Sequence, residues 1–337
     1  MTALIDDYDT ALFDLDGVVY LGPAAVDGAA DGLRALRNRG TRVGFVTNNA
    51  ARPPAAVAEH LKQLGIAATA HDIVTSAQAG AELAARRVAA GSKVLAVGGD
   101  GVWQALEEVG LVGVGSAEDR PVAVLQGFGF DLTWNQLNEA AIAIHRGAHW
   151  VATNTDPTRP TERGIVPGNG AAVDAVRQAV DVDPEVAGKP YRPLVEATIT
   201  RLDARHPIFV GDRLDTDIAG AATVGIDSML VLSGTHGAAD LVAADPGTRP
   251  THLGFDLREL LRPARVLAER PGEVSCGRQT AVIDSGRVAL VGTPQERDGA
   301  VDALWATANL CWRATDLGWQ VDPTPAIAMV SPVLSRR

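Results

Sequence analysis

The stretch Thr10-Ala11-Leu12-Phe13-Asp14-Leu15-Asp16-Gly17 places two carboxylates at the end of a short apolar run. Residues two apart in a strand point to the same side, so Asp14 and Asp16 begin on one side of the chain, where the strand passes into a loop. Gly17 permits a sharp turn there. The carboxyl ends of strands in an α/β sheet face the ligand crevice, and two like charges this close need a cation, a proton or a chemical role. The pattern predicts a functional site; the alternative is an ordinary loop start with Asp as turn former.

The composition restricts the class of protein. The chain has 337 residues, 46% of them hydrophobic and 21% charged, which predicts globular domains with a substantial core. A net charge of −11 argues against nucleic acid or an anionic membrane as partner. Any phosphate substrate therefore needs a local cation or backbone donors. The two cysteines have no disulfide or metal-ligand pattern. Lacking a signal-peptide pattern or a membrane-spanning apolar run, the sequence predicts a cytoplasmic protein.

Short apolar runs alternate with helical patterns, which predicts parallel βα units and an α/β fold. The pattern restarts near Lys93 and again at Gly188-Lys189-Pro190, which indicates a small α/β domain inserted into a Rossmann-like core. The tail predicts a β-hairpin and a long helix, a small α+β extension. We therefore expect the core at 1–91 and 188–265, the insert at 92–187 and the extension at 266–337.

Some local expectations follow from residue type. A helix is predicted from about Asp27 to Arg39, with Asp27 as its cap. The segment between Asp156 and Pro167 has no clear periodicity and is predicted to be an irregular loop. A helix from about Glu296 to Leu317 carries an apolar, tryptophan-containing stripe, for which packing or a dimer surface is expected.

Four polar clusters follow strands or occupy loops that could converge: Asp14/Asp16, Thr47-Asn48-Asn49, Lys189, and Asp212 with Asp217. Each has a structural explanation when taken alone, such as a turn residue, a helix cap or a solvated lysine. Their order along the chain and their positions at strand ends favour a shared site.

In these motifs the sequence resembles the haloacid dehalogenase-like (HAD) phosphatase superfamily. Asp14-Leu15-Asp16-Gly17, Thr47-Asn48-Asn49, Lys189 in Gly-Lys-Pro and Gly211-Asp212 through Asp217 match its four motifs in order. The insert resembles the C2-type cap of subclass IIA, and the whole pattern most resembles the actinobacterial glycerol 3-phosphate phosphatases of that superfamily. The resemblance covers roughly residues 8–262.

The resemblance implies a Mg²⁺-dependent phosphomonoesterase. Asp14 would be the nucleophile that forms an aspartyl-phosphate, and Asp16 the general acid and then base. Mg²⁺ would be bound by Asp14, the backbone carbonyl of Asp16, and Asp212, and Asp217 would orient these ligands or Lys189 from behind. Thr47, the backbone N–H of Asn48, and Lys189 would bind the phosphoryl group.

The cap would choose the leaving group, and the expected residues of that surface are Asn154, Asp156, Arg163 and Asn169. The expected substrate is a small phosphorylated metabolite: glycerol 3-phosphate first, 2-phosphoglycolate or another sugar or nucleotide phosphate second. Two further readings stay open, namely a phosphotransferase or mutase using the same aspartyl-phosphate, and a silent scaffold with a working tail. Capped relatives commonly pair through the cap, so a homodimer is also expected.

Overall fold

The computed structural model describes residues 2–161 and 163–335. In these parts of the chain the strands are β1 Thr10–Phe13, β2 Tyr20–Leu21, β3 Ala24–Ala25, β4 Arg42–Thr47, β5 Ile73–Thr75, β6 Lys93–Val97, β7 Val112–Val114, β8 Ala123–Gln126, β9 His149–Ala152, β10 Thr158–Thr161, β11 Gly164–Pro167, β12 Glu185–Val186, β13 Pro207–Gly211, β14 Asp227–Val231, β15 His252–Gly254, β16 Leu267–Arg270, β17 Glu273–Cys276, β18 Gln279–Asp284 and β19 Arg287–Val291.

The α-helices of the same described ranges are α1 Ala29–Asn38, α2 Pro54–Gln63, α3 Ser76–Ala85, α4 Asp100–Glu108, α5 Trp134–His145, α6 Asn169–Arg177, α7 Arg192–Arg201, α8 Ala219–Val224, α9 Ala238–Val242, α10 Arg297–Asp316 and α11 Thr324–Leu334. A single π-helical turn, Leu214–Ile218, leads into α8. None of the described helices is both long and apolar enough to cross a bilayer.

The chain divides into two compact units: one comprises the segment up to Val43 with the segment from His206 onward, the other Gly44–Arg205. In the first unit four parallel strands lie in the order β15-β14-β13-β1. The strand register pairs Phe13 with Val210, and both side chains are fully buried. Because these strands are covered on both faces, their sequences are continuous apolar runs and do not alternate between apolar and polar residues.

The C-terminal extension belongs to this first unit. Its four antiparallel strands lie in the order β16-β17-β18-β19, and α10 and α11 pack on them. One apolar cluster joins Trp305 and Trp312 of α10 to Leu230 and Leu241, and the Trp312 indole N–H donates to the Leu241 carbonyl at 3.1 Å. The extension therefore shares a core with the parallel sheet of its own unit.

The second unit contains a five-stranded parallel sheet in the order β12-β9-β8-β6-β7 and the parallel pair β4–β5. Thr75 caps α3 in a reciprocal pair with Gln78, and Thr133 caps α5 in the same way with Gln136. Both parallel sheets and the antiparallel extension confirm the predicted α/β class with an α+β addition. The four predicted domain segments stay a prediction.

Two local predictions were wrong. Helix α1 begins at Ala29 after Gly28, whose φ is +73°, and Asp27 does not cap it; its carboxylate accepts from Arg258 at 3.2 Å instead. The segment predicted as an irregular loop contains the antiparallel hairpin β10–β11. The proline- and arginine-rich sequence of that segment hides the alternation on which strand prediction depends.

Candidate active site

The first unit gathers three carboxylates, two at the ends of neighbouring strands and one in the π-helical turn that follows β13. Asp14 follows β1, and Asp212 follows β13, where the Asp14 backbone N–H still donates to the Val210 carbonyl at 2.9 Å. Asp14, Asp212 and Asp217 each offer a carboxylate oxygen, and these oxygens lie within 4.8 Å of one another. Asp212 and Asp217 are each 1% exposed. Buried carboxylates at this spacing require a compensating cation or hydrogen-bond donors.

Asp217 is positioned by the π-helical turn that contains it. Its Oδ2 accepts hydrogen bonds from the backbone N–H groups of Asp212 and Arg213, both at 3.1 Å. The Asp212 Oδ2 accepts from the backbone N–H of Thr235 at 2.6 Å. Backbone N–H groups therefore hold the carboxylates of both residues in place. Their orientation depends on the fold of the main chain and not on flexible side chains.

Glycines leave the space that Asp212 and Asp217 occupy. A Cβ added at Gly17, whose φ is +87°, would lie 2.3 Å from Asp212 Oδ2, and one at Gly234 would lie 2.1 Å from the same atom. A Cβ at Gly211 would lie 2.2 Å from the Asp217 Cβ. Any larger residue at these positions would displace the carboxylates. Gly234 was not among the predicted site residues; its sequence signal is its place in Ser233-Gly234-Thr235, just beyond β14.

Asp16 is separate from this group. Its side chain is exposed, whereas Leu15 beside it is fully buried, and a short bridge pairs Asp16 with Tyr20. The Asp16 side chain is therefore accessible to solvent. In the π-helical turn, burial acts to raise the pKa of Asp215, but the hydrogen bond and the charge of Arg213 lower it by more, so the pKa of that carboxyl lies below its usual value.

The second unit gathers the other predicted motifs. The Thr47 hydroxyl, at the end of β4, accepts from the Asn49 backbone N–H at 3.1 Å. The Asn48 side chain forms two hydrogen bonds with the backbone of Lys189. Its Oδ1 accepts from the Lys189 N–H at 2.8 Å, and its Nδ2 donates to the Lys189 carbonyl at 3.0 Å. Lys189, which precedes a cis peptide bond to Pro190, is 3% exposed and its Nζ donates to the Val46 carbonyl at 3.3 Å. These contacts bring together two motifs that lie 141 residues apart in the sequence.

Two of the predicted cap residues form hydrogen bonds with the protein backbone. Asn154 is buried, and its Nδ2 donates to the Asn48 carbonyl at 2.7 Å while its Oδ1 accepts from the Asp156 N–H at 3.1 Å. Asn169, also buried, donates to the Asn154 carbonyl at 2.7 Å. The Asn154 amide therefore joins the loop after β9 to the loop after β4, and the Asn169 amide joins the start of α6 to the loop after β9.

Asp156 and Arg163 differ from that pair. The Asp156 carboxylate is partly exposed and accepts from Asn48 Nδ2 at 3.1 Å, so it lies beside the Asn48–Lys189 pair. Arg163 is exposed between β10 and β11, where its backbone N–H donates to the Thr161 hydroxyl at 3.3 Å. Ser76, which sequence reasoning missed, donates its hydroxyl to the Asn48 carbonyl at 2.6 Å. Its only sequence signal is its position directly after β5.

Known proteins resemble this chain over both units. A family model described as haloacid dehalogenase-like hydrolase matches residues 11–112, and one described as HAD-hydrolase-like matches residues 186–260. A D-glycerol 3-phosphate phosphatase from Mycobacterium tuberculosis is 47% identical over 271 residues, which are 80% of this chain and 76% of that protein. An acid sugar phosphatase from Staphylococcus saprophyticus is 35% identical over 76% of this chain and 98% of that protein.

A solved structure resembles the chain over nearly its whole length. It is a glycerol phosphate phosphatase from Mycobacterium tuberculosis in complex with magnesium, and it matches with a TM-score of 0.86 and 41% identity. The match covers 99% of both chains, so it includes the C-terminal extension.

Proposed function

Because this chain belongs to the haloacid dehalogenase-like hydrolases and is a phosphatase of that family, we propose that it hydrolyses a small phosphorylated metabolite with Mg²⁺ as cofactor, glycerol 3-phosphate being the first choice. The observation that carries the proposal is the group of Asp14, Asp212 and Asp217, whose carboxylate oxygens lie within 4.8 Å of one another.

The donor set fits magnesium. Mg²⁺ prefers hard oxygen ligands and is usually bound through one or two carboxylates plus substrate oxygens and water. The carboxylates of Asp14 and Asp212 would hold the ion with the backbone carbonyl of Asp16, and Asp217 would keep Asp212 in place through the backbone contacts described above. The bound ion supplies positive charge for the phosphoryl oxygens. This local positive charge would attract a phosphate ester to a chain whose net charge is −11.

The protein groups divide the reaction into two steps. The Asp14 carboxylate attacks phosphorus, so that a P–O bond to Asp14 forms and the P–O bond to the leaving group breaks, while Asp16 gives its proton to the leaving oxygen. Asp16 then takes a proton from a water that attacks the aspartyl-phosphate, which releases phosphate and restores Asp14. Its exposed position suits this proton exchange.

The phosphoryl-binding groups of the proposal are those that the family motifs predict. The Thr47 hydroxyl and the Asn48 backbone N–H would donate to phosphoryl oxygens, and Lys189 would offset their negative charge. The two hydrogen bonds between the Asn48 side chain and the Lys189 backbone support this role, because they hold the lysine backbone beside the loop that carries both donors. A positioned donor costs less reorganisation than a mobile one.

The similar proteins indicate which candidate substrates should be tested first. The 47% identical relative is a D-glycerol 3-phosphate phosphatase, which supports glycerol 3-phosphate, and the acid sugar phosphatase at 35% supports a sugar phosphate as second candidate. 2-Phosphoglycolate and nucleotide phosphates remain in the panel to be tested. A cytoplasmic location and a homodimer are also part of the proposal; cell fractionation and light scattering test them.

The deciding experiment measures phosphate release from a panel of small phosphate monoesters, with Mg²⁺ and with EDTA. We expect Mg²⁺-dependent release that Asp14→Asn lowers by at least about a thousandfold, because the nucleophile is lost. Asp31→Asn, at an exposed helix position, serves as matched control. Release that survives EDTA or persists in Asp14→Asn would contradict the proposal, and transfer to an acceptor instead of water would favour a phosphotransferase.

A further inference from the structure

The loop between β14 and α9, residues 232–237, forms hydrogen bonds with two other loops of the first unit. The Ser233 hydroxyl donates to the Gly17 carbonyl, in the loop after β1, at 2.7 Å. The Thr235 backbone N–H donates to the Asp212 carboxylate, in the loop after β13, at 2.6 Å. The loop after β14 lies outside the four family motifs, but it joins two of them.

His236, in this loop, forms two hydrogen bonds with the segment that begins at Asp212. Its backbone N–H donates to the Asp212 carbonyl at 3.1 Å, and its side-chain Nδ1 accepts from the Leu214 N–H at 2.8 Å. A ring nitrogen that accepts a hydrogen bond carries no proton, so the ring proton is on Nε2. The main chain and the side chain of one residue therefore hold both ends of the segment 212–214.

The Leu214 N–H is the first backbone donor of the π-helical turn. The first N–H groups of a helical segment have no acceptor within it, and a buried N–H needs one from elsewhere. Leu214 is 5% exposed. Asp217 Oδ2 accepts from the two preceding N–H groups, those of Asp212 and Arg213. The Asp217 carboxylate and the His236 imidazole together satisfy three consecutive backbone donors.

The direction of the Asp212 carboxylate depends on the conformation of this segment. Asp212 is 1% exposed, and a Cβ at Gly234 would lie 2.1 Å from its Oδ2, so the carboxylate occupies a restricted space. Without the acceptor on His236, the main chain would have to move for the Leu214 N–H to find another. A movement two residues from Asp212 would change the direction of its carboxylate.

We propose that His236 is a positioning residue for magnesium binding, which holds the turn after β13 so that the Asp212 carboxylate stays beside those of Asp14 and Asp217. The inference rests on the proposed phosphatase function and deepens it, since it adds a residue outside the four family motifs. The ligand is a hard divalent cation, Mg²⁺, and His236 contributes no atom to its coordination. The acceptor at the Nδ1 position carries this role, and the imidazole ring as such does not.

The test compares two substitutions of nearly equal size. His236→Asn places a carbonyl oxygen where Nδ1 now lies, since both atoms are bonded to Cγ, whereas His236→Leu places a methyl group there. We expect His236→Leu to raise the Mg²⁺ dissociation constant about tenfold, the lower end of the effect of residues that orient a metal ligand. His236→Asn should stay within about threefold of the wild type. Isothermal titration of the metal-free proteins with Mg²⁺, without substrate, measures these constants.

Two controls separate positioning from stability. His71→Leu, at an exposed histidine of the second unit, should bind Mg²⁺ as the wild type does. Urea unfolding of each variant in EDTA measures stability by itself. A residue with a structural role only would lower the urea midpoint and leave the Mg²⁺ affinity of the folded protein unchanged.

A second variant keeps the test decisive if His236→Leu does not fold. His236→Gln also has an acceptor oxygen, but that oxygen lies one bond further from Cβ than Nδ1 does. We expect it to bind Mg²⁺ at least about threefold more weakly than His236→Asn. Equal affinities of these two variants would overturn the role of the Nδ1 position.

The outcomes separate the two levels of inference. If the wild type and His236→Leu bind Mg²⁺ equally well, the positioning role is overturned while the phosphatase proposal stands. An equal loss in His236→Leu and His236→Asn also overturns it, because asparagine keeps the acceptor. If the wild-type chain binds no Mg²⁺, the magnesium site of the proposed function fails, and the role of His236 fails with it.

Discussion

Asp217 Oδ2 accepts a hydrogen bond from the backbone N–H of Asp212 at 3.1 Å, and both residues are almost wholly buried. The same oxygen accepts from the Arg213 N–H. Asp217 therefore closes the turn that follows β13 and fixes the direction in which the Asp212 carboxylate leaves the backbone. A residue expected to support the magnesium ligands from behind is thus tied to one of them through the main chain.

Replacement of Asp217 should weaken magnesium binding before it unfolds the protein. We expect Asp217→Ala to raise the Mg²⁺ dissociation constant about 10- to 100-fold, the usual cost of losing a residue that orients a ligand. Asp217→Asn keeps one acceptor oxygen and should recover part of that loss. Isothermal titration with Mg²⁺ measures both variants. Equal affinities for the wild type and Asp217→Ala would show that the turn keeps its shape without this side chain.

Gly234 should tolerate no side chain, because a Cβ there would lie 2.1 Å from Asp212 Oδ2. We expect Gly234→Ala to raise the Mg²⁺ concentration needed for half-maximal phosphate release by about tenfold or more. Gly237→Ala is the matched control, since a Cβ at Gly237 would meet no atom within 4 Å. Similar magnesium requirements for the two variants would contradict a role of this glycine in shaping the metal site.

Arg265 should be important for stability in the first unit. Its buried guanidinium pairs with Glu259 at 3.0 Å, with Asp298 at 2.7 Å, and with Asp302. Arg265→Leu removes the paired cation from Glu259 and Asp302, whereas Asp298 keeps its pair with Arg262. We expect the variant to lower the free energy of unfolding by about 3–5 kcal/mol. Urea unfolding measures the change.

An exposed ion pair gives the control for that measurement. Arg34 pairs with Asp31 one turn away, and both side chains are more than half exposed. Arg34→Leu should change the free energy of unfolding by no more than about 1 kcal/mol, because solvent screens such pairs. If the two leucine variants unfolded at the same urea concentration, burial would not be what makes the Arg265 pairs important.

Protonation of His252 should lower the stability of the first unit in mild acid. The Tyr8 hydroxyl donates to Asp227 at 2.7 Å and lies 3.0 Å from His252 Nε2, so that nitrogen donates to the hydroxyl oxygen. Burial lowers the pKa of His252 from 6.5, although the charges of Asp227 and Asp7 act in the opposite direction.

A histidine whose pKa is lowered by folding stabilises the folded state above its unfolded pKa and loses that contribution as pH falls. We therefore expect the urea midpoint to decrease from about pH 6.5 downward, and His252→Gln, which cannot titrate, to show a smaller decrease. An identical pH dependence in the variant would assign the effect to other groups.

Much of the fold could be predicted from local sequence. Apolar runs of four to six residues ending in Asp, Thr-Asn or Gly-Asp identify the parallel strands, because a buried strand must be apolar and its carboxyl end faces the ligand. The long helix of the extension was confirmed with nearly the predicted bounds, and its hairpin was confirmed as β18–β19. Strands β16 and β17 and helix α11 were not predicted. The hairpin β10–β11 was missed, since prolines and arginines interrupt its alternation.

The sequence by itself determined the chemistry, because the types and order of Asp14, Asp16, Thr47, Lys189 and Asp212 are local facts that a family resemblance can interpret. Only the tertiary structure decided what each neighbouring polar residue does. The sequence predicts Asn154 and Asn169 as residues of the substrate surface, and the structure shows that their side-chain amides donate to backbone carbonyls. Arg159 looks like a solvated arginine, yet it is stacked on Phe128, 31 positions earlier in the chain. Contacts between distant segments depend on packing, which residue type and spacing do not encode.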